Sequence, residues 1–293
     1  MQFRGVFTAL VTPFNKDNTI NKNAFCELVE WQISEGVHGL VPCGTTGESS
    51  TLTFEEYCEI VELCVKTANK QAPIIAGVGS NNTAEVIKKV KYVESIGADA
   101  VLAVAPYYNK PTQDGLYNHF KSIHDSTHIS IILYNVPGRC AVDILDVTAA
   151  KIMELERVIG IKDATGDLNR PLNLKTLVKK EISLLSGEDS TALAFNIHGG
   201  CGCISVTANI VPKLCVELQN LFFTKQFEKA AELNKKLFSL NQVLFCEVNP
   251  IPVKYGLSLL KPNISPNLRL PLTKASENTK TKVKKMMQDL NII

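Results

Sequence analysis

The sequence predicts an α/β chain folded as a (β/α)8 TIM barrel with a C-terminal helical extension. Three observations carry this. Eight short apolar, β-branched runs alternate with amphipathic stretches between Gly5 and Phe222, and runs apolar on every residue suit a parallel sheet buried on both faces. Each run ends in a polar turn that bears Gly, Pro or Asn. The rival, a doubly wound open sheet, would carry G-x-G-x-x-G after its first strand; here the first run stops at Thr12-Pro13, and no P-loop pattern occurs. Residues 1–225 are therefore expected to form the barrel and 226–293 a helical region.

In order, Gly5–Val11 reads as the first strand. Asn21 caps a helix carrying Phe25, Leu28, Val29 and Ile33, stopped by Gly36. His38–Cys43 is the second strand, followed by Gly44-Thr45-Thr46-Gly47-Glu48. Thr53 and Glu56 fit a capping box ahead of Ile60, Val61, Cys64 and Val65. Pro73–Val78 is the third strand, with a helix from Thr83 to Gly97. Ala98–Ala105 is the fourth, followed by Pro106-Tyr107-Tyr108-Asn109 and a helix near Gln113–His124. Ser130–Tyr134, Val158–Lys162, Ile182–Leu185 and Gly202–Ser205 complete the eight. A helix starts at Asp146 after the fifth, and another spans Val211–Phe222. Beyond Gln226 the strands cease: Phe227–Phe245 and Val253–Leu260 read as helices, and the Lys-rich stretch Lys274–Lys285 as a solvated helix face. This tail is available for packing between subunits.

Composition narrows the function classes. A formal net charge of +2 gives no electrostatic footprint for nucleic acid. No apolar run reaches bilayer length, so no membrane partner is expected. Met1–Pro13 is too short and too interrupted, by Thr8 and Thr12, to read as a secretory signal. Nine cysteines, an odd number with no C-x-x-C, suit a reduced, cytoplasmic protein. Cys201 and Cys203 read as two buried thiols on one strand face. The five histidines show no metal-ligand spacing, so neither a metal nor a cofactor is expected.

The chemistry gathers at the strand ends, which share one mouth in such a barrel. Val158, Gly160 and Lys162 fall on one face of the sixth strand. A lysine there either snorkels to solvent or occupies a dry pocket, where burial disfavours the charged form and leaves a nucleophilic amine. Tyr134 ends the neighbouring strand. Thr45 and Thr46 follow strand two, Tyr107 and Tyr108 strand four, and Arg139 strand five; Gly187 and Ile204 come from strands seven and eight. Such a set suits imine chemistry: the amine condenses with a 2-oxo acid, the imine loses a proton to give an enamine, and phenols and hydroxyls relay protons. Thr45-Thr46 in a Gly-flanked turn can donate to a carboxylate, and the Arg139 fork can take a second one. Each residue also has a packing alternative: Tyr134 as a core phenol, the threonines as a helix entry turn, the tyrosines as loop packing, Arg139 as a surface cation. Their common location at strand ends favours function.

On these residues the chain resembles the dihydrodipicolinate synthase family of Schiff-base aldolases and lyases over its whole length. The matching stretches are Gly44–Ser49, Pro106–Pro111, Tyr134–Arg139, Gly160–Gly166 and Gly199–Ser205. The resemblance implies condensation of pyruvate with L-aspartate 4-semialdehyde on the diaminopimelate route to lysine. It gives Lys162 the imine, Tyr134, Thr45 and Tyr108 the proton relay, Thr46 the pyruvate carboxylate, and Arg139 the semialdehyde carboxylate, with Gly187 and Ile204 also lining the site. It also implies a homotetramer, a dimer of dimers in which Tyr108 reaches the neighbouring site. The family's allosteric lysine site matches Ser50, Phe54, Tyr57, Asn81, Glu85 and Tyr107. Phe54 and Tyr57 stand where lysine-sensitive bacterial members often carry histidines, so weak or absent inhibition is expected. Two other readings stay open: a sister aldolase of sugar acids, and a non-catalytic barrel that binds a small acid.

Overall fold

A computed structural model describes residues 3–293. Met1 and Gln2, the start of the stretch weighed as a secretory signal, lie outside the described residues. The elements run β1 (Gly5–Ala9), α1 (Lys22–Ser34), β2 (Gly39–Val41), α2 (Phe54–Ala68), β3 (Ile75–Gly77), α3 (Thr83–Ser95), β4 (Ala100–Val104), α4 (Gln113–Asp125), β5 (Ser130–Asn135), α5 (Pro137–Cys140) and α6 (Asp146–Met153). They continue with β6 (Val158–Asp163), α7 (Arg170–Leu177), β7 (Ser183–Ser186), α8 (Ala192–Ile197), β8 (Gly202–Ser205), α9 (Pro212–Phe223), α10 (Phe227–Val243), α11 (Ile251–Leu260) and α12 (Glu277–Asp289). The strands form one sheet in the order β2-β1-β8-β7-β6-β5-β4-β3. The Leu40 N–H of β2 donates to the carbonyl of Pro73, just ahead of β3, at 3.0 Å. The architecture is a (β/α)8 barrel with a helical C-terminal region.

The chain clusters into two compact units. The first comprises the chain up to Gly5 and Ile74–Ile204. In it β3 to β8 pair in parallel, and the Gly5 N–H donates to the Cys201 carbonyl at 2.8 Å. The strand faces hold Val101, Ile131, Leu133, Ile161 and Leu185, all fully buried. Gly160 is demanded by a close approach: a Cβ there would lie 2.3 Å from the Ser183 carbonyl oxygen. Asn82 and Thr112 cap α3 and α4 through their side-chain oxygens. The helices α7 and α8, of eight and six residues, are absent from the sequence reading; neither is long enough to display a clear period. Cys203 is buried in β8 as expected, while Cys201 lies just ahead of the strand and is partly exposed rather than buried. The Cys201 thiol donates to the backbone carbonyls of Phe3 and Leu184.

The second unit joins Val6–Pro73 to Ser205–Ile293. The predicted capping box is present: the Glu56 N–H donates to Thr53 Oγ1, and the Thr53 N–H to the Glu56 carboxylate. On α1 the buried face carries Gln32 rather than Ile33. Spacing from Leu28 and Val29 favours position 32, and the Gln32 amide is satisfied there. It accepts from Thr8 Oγ1 at 2.6 Å and donates to the Ala208 carbonyl at 2.9 Å. β2 and β3 are shorter than predicted. Cys43 leaves the strand with φ 54°, and Pro73 has no N–H for a ladder.

Candidate active site

Within the first unit, Tyr134 and Lys162 are register partners on adjacent strands, and Lys162 pairs onward with Leu185 of β7. Parallel register holds their side chains side by side on one face. The Lys162 Nζ lies 4.4 Å from the centroid of the Tyr134 ring. Lys162 is 7% exposed and Tyr134 8%. An amine this buried beside a phenol ring does not snorkel to solvent.

The loops around it are set by close backbone contacts. The Gly187 N–H donates to the Asp163 carbonyl at 2.6 Å. A Cβ at 187 would lie 2.6 Å from that of Ala164, so a side chain there would separate the ends of β6 and β7. Ile204 is fully buried in β8. Arg139 is exposed on α5, just past β5. Glu188 is half-buried. Burial pushes its carboxyl up, Asp189 adds to the rise, and the Lys162 and Arg139 cations pull it back. A carboxyl under the influence of both cations was not singled out from the sequence.

Tyr107 and Tyr108 follow β4. The Asn109 N–H closes a three-residue turn on the Tyr107 carbonyl at 2.9 Å, with Tyr108 at φ 73° in its middle. That conformation is uncommon for a non-glycine residue and turns the Tyr108 ring outward, 87% exposed. Asn109 also donates to the Asn81 carbonyl at 2.9 Å, tying the loop after β4 to the one after β3. Glu85 is exposed in the first turn of α3.

Thr45 and Thr46 belong to the second unit, in the turn that leaves β2. Cys43 and Glu48 flank it, both at φ 54°, and the Gly47 and Ser49 N–H groups both donate to the Gly44 carbonyl. Thr46 is 3% exposed, and its Oγ1 accepts from Asn249 Nδ2 at 3.0 Å. Glu48 is buried against Lys254, with Oε1 and Nζ 2.5 Å apart. Burial pushes the Lys254 amine down to about 8, against the pull of the Glu48 carboxylate. Ser50 is exposed; Phe54 and Tyr57 lie on α2 with ring centroids 6.4 Å apart, and Tyr57 is buried. Asn249 and Lys254 escaped the sequence reading. The Asn249-Pro250-Ile251-Pro252 stretch marks a turn into a helix, but nothing local signals a partner 203 residues away.

Among the described residues, no group of three or more His, Cys, Asp and Glu is arranged to hold a metal ion, and no helix is long and apolar enough to cross a membrane. The profile of the dihydrodipicolinate synthetase family matches residues 2–290. The chain belongs to this family. The 4-hydroxy-tetrahydrodipicolinate synthase of Ehrlichia canis (strain Jake) is 52% identical over 294 residues, covering 100% of this chain and 99% of that protein. The enzyme of the same name from Anaplasma marginale (strain St. Maries) is 48% identical over 293 residues, 100% of this chain and 97% of its own. The crystal structure of the chloride-inhibited dihydrodipicolinate synthase from Acinetobacter baumannii, complexed with pyruvate, superposes with a TM-score of 0.97 at 43% identity and covers both chains fully. Of the stretches that carry the resemblance, Gly160–Gly166 spans the end of β6 and Tyr134–Arg139 the end of β5.

Proposed function

We propose that the chain is a 4-hydroxy-tetrahydrodipicolinate synthase, a lyase that condenses pyruvate with L-aspartate 4-semialdehyde. The observation that carries this is the buried Lys162 amine 4.4 Å from the Tyr134 ring. In its uncharged form the Lys162 amine adds to the ketone of pyruvate; a proton from the relay lets the new hydroxyl leave as water and gives a protonated imine, which is an electron sink. A proton leaves the adjacent methyl carbon, the enamine attacks the aldehyde of the second substrate, whose oxygen takes up a proton, and the amino group of that substrate then displaces Lys162 from the imine, which frees the enzyme and closes the ring. Tyr134, Thr45 and Tyr108 relay the protons. Thr46 holds the pyruvate carboxylate, with Gly187 and Ile204 lining the pocket, and Arg139 holds the carboxylate of the semialdehyde. No cofactor enters these steps.

Residues 1–225 form the catalytic barrel in this reading and 226–293 its helical support. The working form is a dimer of dimers in the cytoplasm. The outward ring of Tyr108 supports a role across a subunit boundary, where it would complete a neighbour's relay. Ser50, Phe54, Tyr57, Asn81, Glu85 and Tyr107 correspond to the family's lysine site, and the aromatic Phe54 and Tyr57 favour weak inhibition or none.

The test is incubation with pyruvate and borohydride, read by peptide mass. The expected result is a reduced adduct on Lys162. The Lys162→Ala variant should give none and lose about three orders of magnitude or more in turnover. No adduct on the native chain would leave a binding protein. Cleavage of sialic acid or ketodeoxygluconate in place of semialdehyde consumption would point to a sister aldolase.

A further inference from the structure

Arg170 opens α7, on the far side of β6 from Lys162, and is 6% exposed. Its guanidinium faces three carboxylates: Nε lies 3.0 Å from Asp163, one terminal nitrogen 3.1 Å from Asp143, and the other 3.0 Å from Asp146. The latter nitrogen also donates to the Ile144 carbonyl at 2.6 Å. Asp163 follows Lys162 in β6. Asn135, which follows Tyr134 in β5, donates to Asp143 at 2.6 Å and accepts from the Ile144 N–H at 3.1 Å. One side chain thus joins the end of the lysine-bearing strand to segment 141–146, the stretch that emerges from α5 just beyond Arg139.

The two sides of this clamp depend on it unequally. The end of β6 is held without Arg170. It pairs with β5 and β7, the Ala164 N–H donates to Asn135, and the Gly187 N–H to Asp163. Segment 141–146 has no ladder. Besides Asn135, two side chains meet it: Gln113 donates to the Asp143 carbonyl at 2.9 Å and accepts from the Leu145 N–H at 3.2 Å, and Asn173 donates to the Asp146 carboxylate at 2.9 Å, so among the described residues only Arg170 ties it to β6. Three carboxyl groups share one guanidinium in a largely buried cluster, and burial raises the pKa of Asp163. Stability alone would be served as well by apolar packing, and an ionic cluster of this kind fits a geometric role.

We infer that Arg170 is a positioning residue for Arg139: it anchors segment 141–146 to the end of β6, and so sets where the Arg139 guanidinium meets the carboxylate of the second substrate. This rests on the role proposed above for Arg139.

The test combines steady-state kinetics in both substrates with the pyruvate–borohydride trap on Arg170→Gln, Arg139→Ala and the double variant. Arg170→Gln should raise the KM for semialdehyde about tenfold, as expected for a misplaced positioning group, and leave the pyruvate concentration for half-maximal trapping within about twofold. Arg170→Lys should fall between, because an ammonium cannot span three carboxylates. In the Arg139→Ala background, Arg170→Gln should change the semialdehyde KM by less than about twofold, since a residue acting through another has nothing further to lose. Equal effects in both backgrounds, or parallel loss of pyruvate trapping, would overturn the inference. If Arg139→Ala leaves the semialdehyde KM unchanged, the reading of Arg139 fails and takes the inference with it. If only Arg139→Ala raises it, the inference alone fails. Should Arg170→Gln not fold, Asp143→Ala removes the clamp at its more exposed end and is expected to show the same selective rise in KM; no such rise would overturn the inference.

Discussion

Asn249 and Thr46 form a pair whose hydrogen-bond direction matters. The Asn249 amide donates to the threonine hydroxyl at 3.0 Å, and both residues are buried. A hydroxyl that accepts in this way keeps its own proton to give elsewhere. Thr46 is thereby prepared as a donor to a carboxylate, the role proposed for it with pyruvate. Asn249→Ala should raise the pyruvate concentration for half-maximal trapping about fivefold, the value of one net hydrogen bond near 1 kcal/mol. Asn249→Asp should do more harm, because a carboxylate can only accept and would draw the Thr46 proton to itself. Unchanged half-saturation in both variants would remove Asn249 from substrate binding. At this scale the placement of Lys162 beside Tyr134 was legible in the sequence, because each stands near the end of a short apolar strand whose period fixes its face. Asn249 was not, because its partner is distant along the chain and no pattern encodes the pairing.

Elements show the same division. The strands were legible from continuous β-branched runs, and α2 from its capping box, since both signals lie within a few residues. The short α7 was not, although it carries Arg170. What helices exchange across their contact was equally hidden, and α3 and α4 supply an example. His119 of α4 is 6% exposed; one ring nitrogen meets Thr83 of α3 at 2.9 Å and the other has no hydrogen-bond partner. Burial pushes its pKa down from 6.5 to about 4. The unfolded chain therefore takes up this proton near pH 6.5, the folded chain only near 4. The contribution of His119 to stability is complete above pH 6.5 and is lost as the pH falls toward 4, by at most about 3 kcal/mol. His119→Gln, which cannot titrate, should flatten the fall of Tm between pH 6.5 and 4. An unchanged slope would show that the acid sensitivity lies in other groups.

At the scale of the molecule, the second unit is built from both ends of the chain, and this is where sequence reading reaches least far. Glu48 and Lys254 are 206 residues apart, Glu56 and Arg269 213. Read locally, Lys254 is a polar residue on an otherwise apolar helix, and Glu48 part of a turn. In the fold they are a fully buried ion pair, with Lys254 Nζ also 4.1 Å from the Phe14 ring centroid and the other Glu48 oxygen accepting from the Arg269 N–H. Glu48 closes the turn that bears Thr45 and Thr46, so the pair fastens this turn to α11. Removing one member leaves the other fully buried without its counter-charge, which costs about 3–5 kcal/mol, whereas removing both avoids that cost. Lys254→Met should therefore lower stability by about that amount in urea unfolding, and Glu48→Gln added to it should restore a large part. The single variant should also trap pyruvate less well at a temperature where it remains folded, because the turn has lost its anchor. If Lys254→Met were within about 1 kcal/mol of the native chain, the pair would resemble an exposed bridge in energy, and the turn would have to be held by Asn249 and its own backbone bonds.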